Sequence, residues 1–218
     1  MKKSAFTLSE VLITLGIIGV VVAITMPVLI NRYQERVTVT KVKKFYSMIN
    51  QAFLLSVKDN GYANEWNVGD GRNATTANQF ASYIKPYLKI VRDCGTSSGC
   101  LAYKESPKML NNTSTFYNYD TNSNYYKMVL ADGSYIFLRG AIDKYCQTND
   151  VGISNTCGFV AFDINGGKEP NTVGKDIFVV YITPFTVKTS PQTCDKTSEG
   201  WSCLAYILKN NNMNYLYK

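Results

Sequence analysis

The sequence contains no histidine. That removes the side chain that most often acts as a general base near neutral pH, and the commonest nitrogen ligand of transition metals. Other catalytic signatures are missing with it. There is no G-x-S-x-G nucleophile elbow, no H-E-x-x-H helix, and no glycine loop ending in Lys-Ser/Thr to cradle phosphates. Nothing marks out a Ser/Lys dyad, so the expectation is of a chain that is not an enzyme. Proline is scarce, at six in 218 residues, while 45% of the residues are hydrophobic and 13% aromatic. This is the composition of a chain that buries a core, not of a disordered one. The length suits one medium domain plus an anchor and is short for two domains.

Charge is scarce where a nucleic-acid reader needs it. The formal net charge is +7, yet residues 61–218 hold 15 Lys and Arg against 13 Asp and Glu, only +2. Most of the excess sits at Lys2 and Lys3, and at Arg32, Arg36, Lys41, Lys43 and Lys44, on either side of an apolar segment. That distribution is a membrane pattern before it is a DNA pattern. The tyrosines offer stacking platforms for bases, but aromatics in a domain of this size are more often core. Nucleic acid is therefore not an expected partner.

What is present begins with residues 11–30, VLITLGIIGVVVAITMPVLI, which carry no charge. As a helix rising 1.5 Å per residue, such a run matches the roughly 30 Å hydrocarbon core of a bilayer. A removable secretory signal is the competing reading, with Val21-Val22-Ala23 as a small-residue junction. The run, however, exceeds the usual ~7–15-residue apolar region of such signals, and Glu10 stands at its entrance. Beyond Ile30, the apolar residues Val42, Phe45, Tyr46, Ile49, Phe53 and Val57 recur at spacings of three and four. An amphipathic helix follows the span. One helix from Phe6 to Lys58 would be roughly 80 Å long, with a stripe to bury in its second half. Pro27 and the β-branched run Val37-Thr38-Val39-Thr40 predict a kink or a meltable stretch. Asn60-Gly61 supplies the stop.

Past residue 61 the signals become short strands and turns. Tyr125–Leu130 and Ser134–Leu138 flank Ala131-Asp132-Gly133, a hairpin. Gly158–Ile164 and Asp176–Ile182 are two further apolar runs, which completes an antiparallel sheet of about four strands. Residues 62–124 read mainly as loop with a short helix near Ala77–Lys89, and Trp201–Lys209 reads as a second short helix. The fold class expected is α+β: a long N-terminal helix packed on a small antiparallel sheet with disulfide-closed loops.

Cys94, Cys100, Cys146, Cys157, Cys194 and Cys203 all lie downstream of the apolar segment. An even count in an exported domain points to disulfides. Six cysteines allow 15 pairings, and sequence does not choose among them. The local couples 94 with 100, 146 with 157 and 194 with 203 are the expectation, because each closes a short, turn-rich loop worth roughly 2–3 kcal/mol in the chain-entropy model. A zinc site is disfavoured, since no C-x-x-C and no histidine is present. The segment from Asp163 to Asp176 offers the oxygen ligands that Ca²⁺ prefers, with Asp163, Asn165, Asn171 and Asp176 as candidates. It departs from EF-hand spacing, and its Asn-Gly and Pro-Asn pairs are also ordinary turn chemistry.

Phe6-Thr7-Leu8-Ser9-Glu10 followed by Val11-Leu12-Ile13-Thr14-Leu15 resembles the leader junction and N-terminal segment of type IV pilins and type II secretion pseudopilins. The resemblance covers residues 1 to about 30. It implies a leader of residues 1–5, cut by prepilin peptidase between Ala5 and Phe6, and methylation of the new Phe6 amine. The membrane helix would then be 6–30, its amphipathic continuation 31–60 and the head 61–218. The residue before the cut is usually glycine in this family; here it is Ala5. The family also implies that Glu10 pairs with the Phe6 amine of a neighbouring subunit, which agrees with the cost of a lone carboxylate in hydrocarbon. Gly16, Gly19 and Ala23 would let neighbouring helices approach closely, though small residues are common in membrane spans anyway. Some pseudopilins bind calcium in a C-terminal loop, which bears on the Asp163–Asp176 segment.

The partners implied are prepilin peptidase, other pilin or pseudopilin subunits, a secretion or pilus assembly platform, and the membrane. Counting only charges near the span, the positive-inside tendency would place the head in the cytoplasm. Six paired-looking thiols and the leader motif place it in the periplasm. The function expected is that of a structural subunit of a pseudopilus or pilus-like filament in the bacterial inner membrane. The alternatives are a minor pilin that binds DNA in uptake, or a simple membrane-anchored exported domain. Intact mass and N-terminal sequencing of the protein from its native membrane separate these readings: a methylated Phe6 terminus is expected, against an intact Met1 or a cut near Ala23.

Overall fold

A computed structural model describes residues 7–103, 105–113, 118–141 and 143–217. The first helix, α1, runs Leu8–Asn60 and is helical without a break through Pro27 and Val37-Thr38-Val39-Thr40. The expected interruption is not seen in its secondary structure. The β-branched run instead holds the boundary of the two compact units into which the chain divides, Met1–Val37 and Thr38–Lys218.

In the first unit the apolar stretch of α1 is exposed along its whole length. By length and composition it can cross a membrane. A helix that is apolar all round and touches nothing apolar finds its solvent in lipid, not water.

In the second unit α1 behaves as a surface helix of a globular domain. Val39, Val42, Phe45, Ile49, Ala52, Phe53 and Ser56 are buried, at the three- and four-residue spacing of one face. Of the expected stripe, Tyr46 and Val57 are only partly buried at its margins. Phe45 stacks on Phe162 of the sheet. The helix stops at Asn60, where the Gly61 N–H still reaches the Val57 carbonyl at 2.9 Å and Gly61 takes φ +78°, a value that costs glycine nothing.

The strands are β1 (Ile90–Gly95), β2 (Tyr126–Leu130), β3 (Tyr135–Gly140), β4 (Thr148–Asp150), β5 (Ile153–Thr156), β6 (Gly158–Asp163), β7 (Ile177–Ile182) and β8 (Val187–Lys188). Six form one antiparallel sheet in the order β1-β2-β3-β6-β7-β8, and β4 pairs with β5 alone. The four strands legible as apolar runs are its centre. The two additional strands are its edges, and they lack the sequence signal for a physical reason. β1, inside the stretch expected as loop, is largely exposed, carries Arg92 and Asp93 and is broken by two register irregularities. These are features that blunt an edge against further pairing. β8 has only two residues.

Two further helices are α2 (Ala74–Ile84) and α3 (Cys203–Asn210). Asn73 caps α2, its side chain accepting from Thr76 N–H at 3.0 Å. α2 ends short of the expected Lys89 because Pro86 has no N–H for the next rung, and the chain tightens into a 3-10 turn over Lys85–Tyr87.

β3, β6 and β7 are buried at every position, so both faces of the sheet need a cover. Met128, Ile136, Leu138, Val160, Phe162, Phe178 and Val180 face the helices α1, α2 and α3 in one core. Phe137, Phe159, Ala161, Val179 and Tyr181 face a second core closed by loops that bring Leu101, Met109, Tyr119 and Val173. At the rim of the first core β6 begins with Gly158, where an added Cβ would lie 2.6 Å from the Arg139 carbonyl and 2.8 Å from the Phe80 ring. Glycine is what lets α2 sit this close.

Loops that cover a sheet must satisfy their own backbone. Lys127 of β2 is fully buried among them and donates to the carbonyls of Thr96 (3.1 Å), Asp120 (2.8 Å) and Asn122 (3.3 Å). The Asp120 carboxylate accepts from the N–H groups of Gly99 (2.7 Å), Cys100 (3.0 Å) and Leu101 (2.9 Å). Replacing Lys127 with Met keeps the stem and strands three carbonyls. We expect it to lower stability by about 2–4 kcal/mol, read from denaturant unfolding of the full chain in detergent.

Candidate functional site

Ala5 and Phe6, the expected processing junction, lie outside the described residues. The structure begins at Thr7, and there a reciprocal cap closes the start of α1. The Glu10 Oε2 accepts from the Thr7 backbone N–H (2.8 Å) and the Thr7 hydroxyl (2.8 Å), while Glu10 N–H donates to the Thr7 hydroxyl oxygen (3.2 Å). This is a Thr-x-x-Glu capping box, which meets two N–H groups that the first turn of a helix leaves without intrahelical partners. Both side-chain bonds fall on Oε2, so Oε1 has no partner among the described residues. A carboxylate at a helix N-terminus also faces the positive end of the helix dipole. At Gly16 and Gly19 an added Cβ would meet nothing within 4 Å, so neither glycine is required by packing inside the chain.

The six cysteines form three bridges, Cys94–Cys100, Cys146–Cys157 and Cys194–Cys203. They are the local couples. Cys94 is the penultimate residue of the edge strand β1, the second bridge closes the β4–β5 hairpin, and the third ties the start of α3.

Asp163, Asn165, Asn171 and Asp176 meet at the connection between β6 and β7. Asp163 is fully buried and accepts from the Tyr103 hydroxyl (2.7 Å) and the Asn165 N–H (3.1 Å). Asp176 accepts from Thr172 N–H (2.6 Å), Asn171 N–H (2.8 Å) and the Asn165 side-chain amide (3.2 Å). With its amide oxygen and nitrogen exchanged, the orientation its surroundings favour, the Asn171 side chain donates to the carbonyls of Lys168 (3.0 Å) and Gly166 (3.3 Å). Among the described residues, no three His, Cys, Asp or Glu side chains converge to hold one metal ion. The two carboxylates are supplied with N–H and O–H donors, and the loop they organise is the one that joins the two central strands.

Two family models match the sequence. A family of unknown function (DUF6613) matches residues 28–215. The prokaryotic N-terminal methylation motif matches residues 1–26. The chain belongs to the first family, and its N-terminus makes it a type IV pilin-like protein. No curated protein and no solved structure matches it.

The methylation motif makes the pilin-like chain a precursor of the kind that prepilin peptidase processes. The motif and the capping box occupy the same residues. Reading Glu10 only as an intramembrane charge overlooks its local partner, and the Thr7-x-x-Glu10 spacing was the signal for it. The basic flank carries a second lesson. Lys41 donates to the Ile164 carbonyl at 3.1 Å, Lys43 bonds the Asn211 side chain and Lys44 lies 3.6 Å from Asp132. These three lysines are engaged with the head.

Burial, and then the charge of Asp176, hold the Asp163 carboxyl well above the usual carboxylate range; burial raises Asp176 as well. A raised folded-state pKa means that the folded chain binds the proton more readily than the unfolded chain. The contribution to stability is complete below the unfolded pKa of about 4 and is lost as pH rises through the folded value. In Asp163→Asn this loss is absent. We expect the melting temperature of the variant, relative to the parent, to be higher at pH 7 than at pH 4. A difference independent of pH would show that Asp163 does not titrate differently on folding.

Proposed function

We propose that this pilin-like chain is a structural subunit of a type II secretion pseudopilus or a type IV pilus-like filament. The observation that carries the reading is the methylation motif at residues 1–26 placed on a helix whose apolar part is wholly exposed. Trimmed before Phe6 and methylated there, the chain is held in the inner membrane by the first part of α1. The three disulfides favour a head on the oxidising, periplasmic side.

Assembly in this reading is a transfer of the apolar helix from lipid into a bundle of like helices, with Gly16, Gly19 and Ala23 permitting close approach. Oε1 of Glu10, without a partner among the described residues, is the acceptor for a neighbouring Phe6 amine, while Oε2 keeps the first turn of α1 closed. The pairing neutralises two charges that would otherwise be costly in hydrocarbon. The protein's work is mechanical, not catalytic.

Glu10→Ala separates processing from assembly. The variant is expected to show the same methylated Phe6 terminus by mass spectrometry, yet to lose about tenfold or more of its incorporation into sheared or pelleted filaments. Incorporation at the parental level would refute the assembly role of Glu10, and an unprocessed Met1 in the parent would refute the pilin reading itself.

A further inference from the structure

The second face of the sheet carries a polar feature that neither processing nor assembly uses. Antiparallel register places Arg139 of β3, Phe159 of β6 and Tyr181 of β7 in one row across the three central strands. The row forms the floor of a cavity of about 330 Å³, with Arg72, Asp150 and Trp201 on its walls. Arg139 is only 6% exposed. Its guanidinium carbon lies 4.2 Å above the Phe159 ring, a cation–π contact that fixes the plane of the group.

Of the two carboxylates in the lining, Asp150 and the exposed Glu199, Asp150 alone bonds the arginines. Arg72 (3.2 Å) and Arg139 (3.4 Å) both donate to one oxygen, Oδ2, of Asp150. Two guanidinium groups, which stay protonated at any physiological pH, thus share a single carboxylate oxygen. The Nε atoms of both arginines are buried without a hydrogen-bond partner. Tyr181 is 2% exposed, and its hydroxyl makes no hydrogen bond among the described residues. Buried donors left unmet are costly, and native proteins rarely keep several in one place. Both Nε atoms are sealed from water, and the residues that carry them line one cavity together with Tyr181.

We propose that this cavity binds a small organic carboxylate with a ring or other apolar body. The volume lies at the small end of the range for ligand sites. Arg72, Arg139 and Asp150 together carry one net positive charge at the floor, and Glu199 brings the whole lining to neutral, so the site suits a monoanion seated at the arginines and not a phosphate dianion. Exposed Glu199, bonded to Trp201 Nε1 at 2.9 Å, adds a negative charge at the mouth that disfavours a second anionic group. The guanidinium fork matches the planar carboxylate. The Tyr181 hydroxyl supplies a further donor, since burial keeps its proton in place. Phe159, Trp201 and the aliphatic wall accept the apolar body. Free aryl acids and the C-terminal end of a peptide share this chemistry.

The site is tested on the full chain in detergent by tryptophan fluorescence, Trp201 being one of two tryptophans. The probes are phenylacetate, N-acetylphenylalanine, the neutral phenylacetamide and inorganic phosphate. Saturable binding of either carboxylate is expected, about tenfold weaker in Arg72→Gln, the loss of one charge-assisted bond, with the melting temperature of the free protein unchanged. Arg72 stands at the edge of the cavity, so this variant should fold. Trp201→Phe should abolish the fluorescence change. Tighter binding of N-acetylphenylalanine would assign a peptide end, and tighter binding of phenylacetate a free acid. The proposal is overturned if neither carboxylate binds, if the amide binds as tightly as the acid, if phosphate binds more tightly than both, or if Arg72→Gln binds as the parent does. None of these outcomes bears on Glu10 or on filament assembly.

Discussion

The head depends on one constraint: its central strands are apolar on both faces. A sheet of this kind cannot leave either side to water, and the chain covers the two sides by different means. Helices shield one face and satisfy their own backbones as they do so. Loops shield the other, and each loop that excludes water must find partners for its exposed N–H and C=O groups. Lys127, Asp120 and Asp176 are buried polar groups for that reason. They are not exceptions to the core but the means by which irregular chain closes it. The disulfides act in the same sense, limiting the conformations open to loops that have little regular structure to hold them.

The second face is also where the cover is incomplete. Arg139 occupies a position whose sheet neighbours are Phe159 and Tyr181, and an arginine in such a row is tolerated only with partners. Asp150 provides one oxygen for two guanidinium groups. The aromatic floor and the unmet donors arise from the same loop-covered construction that elsewhere needed Lys127.

In α1 one set of residues answers to two environments. Glu10 closes the first turn through Thr7 with one oxygen, so the residue that assembly would use is already positioned by local helix chemistry. Lys41, Lys43 and Lys44 look like a membrane flank in sequence because they follow the apolar run. Their contacts with Ile164, Asn211 and Asp132 show that they serve the head, where such exposed pairs contribute specificity of docking more than energy.

The legible features were those carried by local pattern. The span, the three- and four-residue stripe of Val42, Phe45, Ile49 and Phe53, the four central strands, the stop at Asn60-Gly61 and the short disulfide loops each state their structure within a dozen residues. The edge strands were not legible, because β1 carries the charges that protect an edge and β8 is two residues long. Nor was the row of Arg139, Phe159 and Tyr181, whose successive members are 20 and 22 positions apart and meet only through strand register. The Thr7-x-x-Glu10 box was legible and lay beneath a more conspicuous reading. By itself the sequence determined a disulfide-bonded α+β domain on a pilin-type helix, since hydrophobic period, length and motif are local properties. Tertiary structure alone decided which lysines dock the head, which carboxylates are buried, and where unmet donors face a cavity, because those outcomes depend on pairings between distant segments.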